Sequence, residues 1–213
     1  MRRILCFGDS NTYGYDPRGG RYDENTRWTK RLDALLGVGW TVVEEGFNGR
    51  TCVMDDPTEG GYKSGANYLP PCLMSHNPLD MVAIMLGGND SKQRFGLNPM
   101  TIGEGIMQLI RLTRLYAADA AGNPSKILLI APPPFREELR RTRYWDVFGP
   151  QALEVTRGLA AEYARVARLL RCEFLDAGAV AKLSEIDALH FTREDHLRLA
   201  EAVCAKVKDA FKD

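Results

Sequence analysis

The chain has 213 residues, of which 45% are hydrophobic and 26% charged. This length supports one substantial core, so we expect a single domain over residues 1–213. The 28 basic and 28 acidic side chains give zero formal net charge, which weighs against a nucleic-acid partner, because such partners require a basic face.

Apolar runs and cysteines limit the class of protein further. No apolar run approaches the length of a membrane-spanning helix, and the apolar stretch 4–7 is too short for a signal peptide. The five cysteines form no Cys-x-x-Cys pair, so free thiols in a reducing compartment fit better than a disulfide framework or a zinc knuckle. We therefore expect a cytoplasmic protein without a membrane partner.

Apolar and β-branched runs predict five strands. These runs cover residues 4–7, 40–45, 81–86, 127–131 and 173–176. Apolar residues at helical spacing predict helices between them. The predicted helices cover residues 26–36, 101–121 and 150–170, with a last helix beginning at Thr192. Because strands alternate with helices, the sequence predicts an α/β fold, a three-layer α/β/α sandwich around a five-stranded parallel sheet.

Two connections have distinctive compositions. Residues 55–65 are acidic and glycine-rich and are predicted to form a loop, after which Pro70-Pro71 is expected to interrupt any helix before Cys72. Residues 135–147 are charged and aromatic. This segment fits a flap over a site, a solvated connection or a subunit contact, and the sequence leaves these interpretations open.

Three predicted strands end in polar turns that contain glycine. The turns are Gly8-Asp9-Ser10, Asn48-Gly49 and Gly87-Gly88-Asn89-Asp90. The carboxyl ends of parallel strands lie at one edge of a sheet, so these turns can converge on one crevice. Ser10 alone would more commonly be a helix-capping serine, and only partners elsewhere in the chain favour a catalytic role.

A fourth turn, Asp187-Ala188-Leu189-His190, supplies such partners. An aspartate three residues before a histidine can accept a hydrogen bond from Nδ1–H, which leaves Nε2 free to act as a base. A serine hydroxyl needs such a base to become a nucleophile. We therefore predict a catalytic triad of Ser10, Asp187 and His190. The predicted oxyanion donors are the backbone N–H groups of Ser10 and Gly49 and the side-chain amide of Asn89.

The four turns together resemble the SGNH (GDSL-type) hydrolases, whose name lists serine, glycine, asparagine and histidine. The matching residues are Ser10, Gly49, Asn89 and His190, and the resemblance runs from residue 4 to the final helix. Further segments resemble bacterial arylesterases and acyltransferases of small esters within that family. These segments are Arg27-Trp28-Thr29, Glu44-Glu45-Gly46, Arg50-Thr51, Asp55-Asp56-Pro57-Thr58 and Tyr68-Leu69-Pro70.

The resemblance implies a flavodoxin-like fold, an acyl-serine intermediate, and neither a metal nor another cofactor. It implies action on short-chain acyl or aryl esters, with acyl transfer to alcohols or peroxide. It also implies a homo-oligomer, in some relatives an octamer whose subunit contacts narrow the active site. A small-molecule ester is then the expected partner.

The residues around the predicted triad can be assigned less directly than the triad itself. The expected substrate-pocket residues are Asp9, Asn11, Tyr13, Trp28 and Phe191, although the aromatic ones fit a core equally well. Asp9 and Asp90 are also expected to brace their turns. Gly46 is an alternative to Gly49 as oxyanion donor. Ala188 stands where the family commonly has glycine, which matters only if the position requires a positive φ.

The sequence therefore favours a serine esterase that acts on short-chain acyl or aryl esters. A carbohydrate O-deacetylase with the same triad is the alternative within the enzyme class. A catalytically inactive flavodoxin-like binding module is the alternative outside it.

Overall fold

A computed structural model describes residues 1–212, and five strands in this range form one parallel sheet. The strands are β1 (Arg2–Gly8), β2 (Trp40–Gly46), β3 (Met81–Met85), β4 (Lys126–Ala131) and β5 (Glu173–Asp176). Their order in the sheet is β2-β1-β3-β4-β5. The predicted five-stranded parallel sheet is confirmed.

Helices cover both faces of the sheet. They are α1 (Ser10–Tyr13), α2 (Trp28–Leu36), α3 (Gly65–His76), α4 (Pro99–Tyr116), α5 (Trp145–Phe148), α6 (Gln151–Leu169) and α7 (Arg193–Ala210). In β1, Ile4 and Cys6 pack in the core formed with α2 and α7. The alternate residues Leu5 and Phe7 pack in the core formed with α3, α4 and most of α6. Both faces of β1 are thus buried, which explains its uninterrupted apolar sequence.

Helix α3 contradicts the expectation that Pro70-Pro71 would interrupt a helix. The helix begins after Ser64, whose side chain accepts a hydrogen bond from the backbone, and it continues through both prolines to His76. The prolines remove two backbone donors from the helix. Complete burial of Leu69 and Leu73 against the sheet offsets this loss.

Helix α4 begins and ends earlier than the apolar pattern predicts. It begins at Pro99 because the Asn98 side chain accepts a hydrogen bond from the amide of Thr101, at 3.0 Å. It ends at Tyr116 rather than near residue 121 because Asp119 accepts hydrogen bonds from backbone amides within 119–123 and closes a turn there. None of the helices within residues 1–212 combines the length and apolar character that a membrane crossing demands.

Candidate active site

The strand order brings three of the predicted turns together. Because β1 lies between β2 and β3, Ser10 at the end of β1 is flanked by the loop after β2 and the loop after β3. The turn before α7 approaches from the same edge. One cleft of about 240 Å³ is lined by Ser10, Gly49, Asn89 and His190. The four turns that the sequence singled out therefore share a single cleft.

Ser10, His190 and Asp187 form a continuous hydrogen-bonded chain. The Ser10 hydroxyl lies 2.8 Å from Nε2 of His190, and Nδ1 of the same ring lies 2.5 Å from a carboxylate oxygen of Asp187. The imidazole and the carboxylate are both buried. With the Nδ1–H tautomer that the carboxylate favours, Nε2 accepts the hydrogen bond from the serine hydroxyl. This arrangement can remove a proton from the hydroxyl.

The turn that carries His190 is organised by Asp187. Its second carboxylate oxygen accepts hydrogen bonds from the amides of Leu189 and His190, both at 3.1 Å. The tight turn forces Ala188 into the left-handed region, with φ of 64°. Position 188 therefore does require a positive φ, a conformation that glycine adopts freely and that the Cβ of alanine disfavours.

Asn11 links the serine turn to the histidine turn. Its side-chain amide donates to the carbonyl of Leu189 at 3.0 Å, and its side-chain oxygen accepts from the amide of Phe191 at 3.1 Å. These two backbone groups flank His190. Since Asn11 directly follows Ser10, its side chain sets the spacing between the hydroxyl and the imidazole. Sequence reasoning placed Asn11 in the substrate pocket but did not identify this link.

Asp9 caps the short helix that begins at Ser10. One carboxylate oxygen of Asp9 accepts from the amide of Asn11 at 2.9 Å. Burial raises the pKa of Asp9, while the Asn11 amide and His190 oppose that rise. The preceding Gly8 is required for space, since a Cβ there would lie 2.8 Å from the carbonyl oxygen of Met85 and closer still to Thr12. The hydroxyl of Ser10 is thereby placed directly at the end of β1.

The geometry favours Gly49 over Gly46 as a donor to a bound carbonyl. Gly49 has φ of 78° and lines the cleft with Ser10, whereas Gly46 lines neither cavity at Ser10. A Cβ on Gly46 would lie 2.0 Å from the backbone nitrogen of Tyr13, so close packing against α1 explains this glycine. Within residues 1–212, the amides of Ser10 and Gly49 donate to no protein acceptor.

The Asn89 side chain is held by the two neighbouring turns. Its amide nitrogen donates to the carbonyl of Arg50 at 3.2 Å and lies 3.4 Å from a carboxylate oxygen of Asp9. The adjacent Asp90 is completely buried, and its two carboxylate oxygens share a bifurcated hydrogen bond from the amide of Cys52, at 2.9 and 3.1 Å. Asp90 therefore ties the loop that carries Gly49 to the turn that carries Asn89.

A small cavity of about 30 Å³ opens beside Ser10. Its polar side is formed by Asp9, Asn11 and Asn89, so two of the expected pocket residues line it. Its apolar side is formed by Pro132, Pro133, Phe135, Phe148, Leu183 and Leu189. Phe135 and Phe148 meet edge to face with their ring centroids 5.0 Å apart, a favourable contact between the two rings of this wall. We call this space the inner cavity; it has room for a group about as large as a methyl.

The larger cleft on the other side of Ser10 has a mixed wall, and we call it the outer cleft. Its aromatic side is formed by Tyr15, whose ring centroid lies 4.5 Å from that of His190, and by Tyr144. Its charged side is formed by Glu59, Lys63 and Lys92.

Lys92 is almost completely buried in this charged wall. Its ammonium group lies 2.9 Å from Asp56 and 2.7 Å from Glu59, and Arg94 binds the same two carboxylates. Arg94 and Lys92 hold the pKa of Asp56 well below its usual range, against the effect of burial. These contacts anchor the acidic loop 55–65, which sequence reasoning treated only as a connection.

Three of the expected pocket residues lie away from both spaces at Ser10. Trp28 and Phe191 are buried in the core between the sheet and helices α2 and α7. Tyr13 packs under the guanidinium of Arg21, 4.3 Å from its ring centroid. Neither the inner cavity nor the outer cleft is lined by any of the three.

His196 supports this core rather than the site. Its Nδ1 accepts a hydrogen bond from the backbone of Trp28, and burial lowers the pKa of the ring to about 3. The imidazole of His196 is therefore neutral at physiological pH.

Sequence reasoning missed the aromatic residues that close the site. Tyr144 and Phe148 come from the segment around α5, and Phe135 directly follows three prolines at the end of β4. The available signal was the aromatic content of residues 135–147. The structure places this segment against the outer cleft and the inner cavity.

One set of potential metal ligands lies outside the site. Within residues 1–212 the grouped His, Cys and acidic side chains that fit a metal ion are Glu45, Cys72 and His76. None of the three lines the inner cavity or the outer cleft.

Because the pKa of Asp90 is shifted, we expect the free energy of unfolding to depend on pH. Burial, aided by Asp9, raises the pKa of Asp90 from 3.8 to about 6. The folded protein therefore binds this proton more tightly than the unfolded chain, and the resulting stabilisation is lost as pH rises from 4 through 6. In Asp90→Asn, where the amide oxygen can still accept from Cys52, we expect this loss to disappear.

The measurement is urea unfolding of both proteins at pH 4 and pH 7. The free energy of unfolding of wild type relative to Asp90→Asn should fall by up to about 3 kcal/mol over this range. The control is Asp119→Asn: hydrogen bonds from Asn123 lower the pKa of Asp119, so this carboxyl titrates mostly below pH 4 and the corresponding difference should not fall between pH 4 and pH 7. A pH-independent difference for Asp90→Asn would contradict the prediction.

Comparisons with known proteins agree with this architecture. The model of the GDSL-like lipase/acylhydrolase family matches residues 6–199. The structure of Est24, a carbohydrate acetylesterase from Sinorhizobium meliloti, is 35% identical with a TM-score of 0.91, covering 99% of this chain and 100% of that one. The aryl esterase of M. smegmatis is also 35% identical with a TM-score of 0.91, covering 98% and 99%.

A comparison with curated proteins finds no match. The family model nevertheless matches residues 6–199, a range that includes all five strands from Cys6 onwards and the four turns at the cleft. The chain belongs to the GDSL-like lipase/acylhydrolase family, the esterases of the SGNH hydrolase fold.

Proposed function

We propose that the protein is a serine esterase that cleaves acetyl and similarly short acyl esters through an acyl-serine intermediate. The observation that carries this proposal is the chain Ser10–His190–Asp187, with a hydroxyl-to-imidazole distance of 2.8 Å, at the mouth of the inner cavity. A hydroxyl so placed has a base within reach and a small space for the acyl group beside it.

The proposed reaction begins when Ser10 Oγ attacks the ester carbonyl carbon. His190 Nε2 takes the hydroxyl proton, while its Nδ1–H continues to donate to the ionised Asp187. The tetrahedral intermediate collapses, and the proton passes from Nε2 to the leaving alcohol. Water then enters, loses a proton to Nε2 and attacks the acyl carbon. The second tetrahedral intermediate collapses, Nε2 returns the proton to Ser10 Oγ, and the carboxylic acid leaves. An alcohol or a peroxide in place of water gives acyl transfer by the same steps.

The negative charge on the carbonyl oxygen is stabilised in the tetrahedral state. The proposed donors are the amides of Ser10 and Gly49 and the side chain of Asn89, all three of which border the outer cleft. In the resting protein the Arg50 carbonyl holds one N–H of Asn89, and the other N–H, with its long 3.4 Å contact to Asp9, turns to the oxyanion when substrate arrives.

Substitution of Ser10 and Asn89 tests the proposed roles. Ser10→Ala should lower kcat for an aryl acetate by at least about 10⁴-fold and abolish covalent labelling by a fluorophosphonate. Asn89→Ala should lower kcat by about 10²–10³-fold with unchanged circular dichroism. Ser75→Ala, an exposed serine, is the control and should behave like wild type. Absence of labelling in wild type would instead support an inactive binding module.

The inner cavity limits the acyl group. A volume of about 30 Å³ accepts the methyl of an acetyl group, and longer chains must displace packed aromatic rings. One methylene too many in an apolar pocket costs about 1–3 kcal/mol in the transition state. We therefore expect kcat/KM to fall at least tenfold from an aryl acetate to the corresponding butyrate.

Enlarging the cavity checks its assignment as the acyl pocket. Phe135→Ala should shift the preferred acyl chain towards butyrate, measured as the ratio of kcat/KM for the two esters. Phe174→Ala is the control, because this residue lies in β5 and lines neither space at Ser10. A preference for acetate that survives in Phe135→Ala would argue that the acyl group occupies the outer cleft instead.

The outer cleft raises a second candidate function, a carbohydrate O-deacetylase. The specific observation is its charged wall of Glu59, Lys63 and Lys92, which offers hydrogen bonds that a hydroxylated leaving group can use and an aryl group cannot. The aromatic pair Tyr15 and Tyr144 suits either an aryl ring or the apolar face of a sugar. The two related structures described above are named for these same two substrate classes.

Lys63→Ala distinguishes the two leaving groups. Lys63 is partly exposed; its ammonium group donates to the Asn48 carbonyl in the loop beside Gly49 and lies 4.5 Å from the Phe47 ring centroid. If sugar hydroxyls bind this wall, the variant should lose about fivefold in kcat/KM for acetylated xylooligosaccharides and little for an aryl acetate, since one hydrogen bond contributes about 1 kcal/mol. An equal loss for both substrates would show that Lys63 supports the loop rather than the leaving group.

A further inference from the structure

We propose that Glu45, Cys72 and His76 form a binding site for a divalent transition-metal ion of the zinc type, separate from the ester site. One carboxylate oxygen, one thiol sulfur and one imidazole nitrogen from these residues lie within 4.8 Å of one another. Thiolate, imidazole and carboxylate are the ligand types that zinc takes in proteins. This site is independent of ester cleavage, for which no metal is expected.

Helix α3 supplies two of the ligands at a favourable spacing. Cys72 and His76 are four residues apart, so their side chains lie one above the other on the same face of the helix. This is the spacing at which a helix presents two ligands to one ion, as in His-x-x-x-His pairs. The pair lies in the last turn and a half of α3, beyond the two prolines.

The third ligand comes from the edge strand of the sheet. Glu45 pairs with Phe7 in the parallel register of β1 and β2, so its side chain projects from the same sheet face as that of Phe7. That face is the one covered by α3. The carboxylate consequently lies under the Cys72–His76 face, and a hydrogen-bonded distance of 3.0 Å joins it to Nε2 of His76.

The distances are close to those that a metal ion requires. Bond lengths of about 2.0–2.3 Å in tetrahedral geometry put neighbouring ligand atoms about 3.5 Å apart. The His76 nitrogen and a Glu45 oxygen are 3.0 Å apart, and one ligand atom from each residue lies within 4.8 Å of the other two, so the adjustments that an ion requires are about 1 Å.

Solvent access also fits the site, although burial and Glu45 raise the pKa of the Cys72 thiol to about 12, so an ion must displace a firmly held proton. Cys72 is only 3% exposed, whereas the side chains of His76 and Glu45 are 34% and 17% exposed, so the site opens to solvent on one side. Water can therefore fill a fourth position. Binding replaces the thiol proton of Cys72, which leaves to solvent, and the two anionic ligands then balance a divalent charge. The nearby guanidinium of Arg50 opposes the ion and limits its affinity.

Cobalt(II) absorption tests the site directly. The tag-free, chelator-treated full-length protein is kept reduced and titrated with Co²⁺. We expect a thiolate-to-cobalt charge-transfer band in the near ultraviolet and visible bands of four-coordinate cobalt, reaching saturation at one equivalent. Zn²⁺ should then displace cobalt and remove both sets of bands. Under the same conditions either ion should raise the Tm of the wild-type protein.

Matched variants assign the ligands. Cys72→Ser should abolish the charge-transfer band and the rise in Tm, and His76→Gln and Glu45→Gln should each weaken binding at least about tenfold. Cys172→Ser is the control, because Cys172 is a free cysteine outside the ligand set. Unchanged near-ultraviolet circular dichroism of the metal-free variants shows that each is folded.

Two results would overturn the proposal. The first is the absence of a charge-transfer band in wild type with excess Co²⁺, which would leave only a His76–Glu45 hydrogen bond at this place. The second is a band that survives in Cys72→Ser or is lost in Cys172→Ser.

Discussion

The position of β1 between β2 and β3 is the constraint on which the site depends. In a parallel sheet with this order, the turns after these three strands are adjacent and lie at one edge. The hydroxyl of Ser10 is thus bordered on one side by the backbone of Gly49 and on the other by the side chain of Asn89. Both faces of β1 are buried, so packing on either side holds the strand that carries the middle turn.

Hydrogen bonds between the turns hold this arrangement together. Asp90 joins the loop after β2 to the turn after β3, and Asn11 joins the turn after β1 to the histidine turn. Asp90, and Asp9 that caps the helix at Ser10, are buried carboxyl groups, so desolvation raises the pKa of each and costs folding free energy. The positions of the proposed catalytic groups are therefore obtained partly at the cost of stability.

The sheet and the four turns could be predicted from the sequence because both are local signals. Short apolar runs identify buried strands, and the polar turn directly follows each run, as at Ser10 and Asn89. The substrate pocket could not be predicted in this way. An aromatic residue such as Trp28 has the same local pattern in a core as in a pocket, whereas Tyr144 reaches the cleft only through tertiary packing. Helix α3 shows the same limit, since burial outweighs the local effect of its prolines.

Ala188 illustrates how the histidine turn is prepared for its proposed role. Its left-handed backbone disfavours an alanine by about 1–2 kcal/mol, yet its methyl group is fully buried and the two following amides remain bonded to Asp187. The turn can relax only by breaking these bonds, so the imidazole is preorganised before any ester binds. The strain is carried by the folded state, and the energy of substrate binding remains available for the transition state.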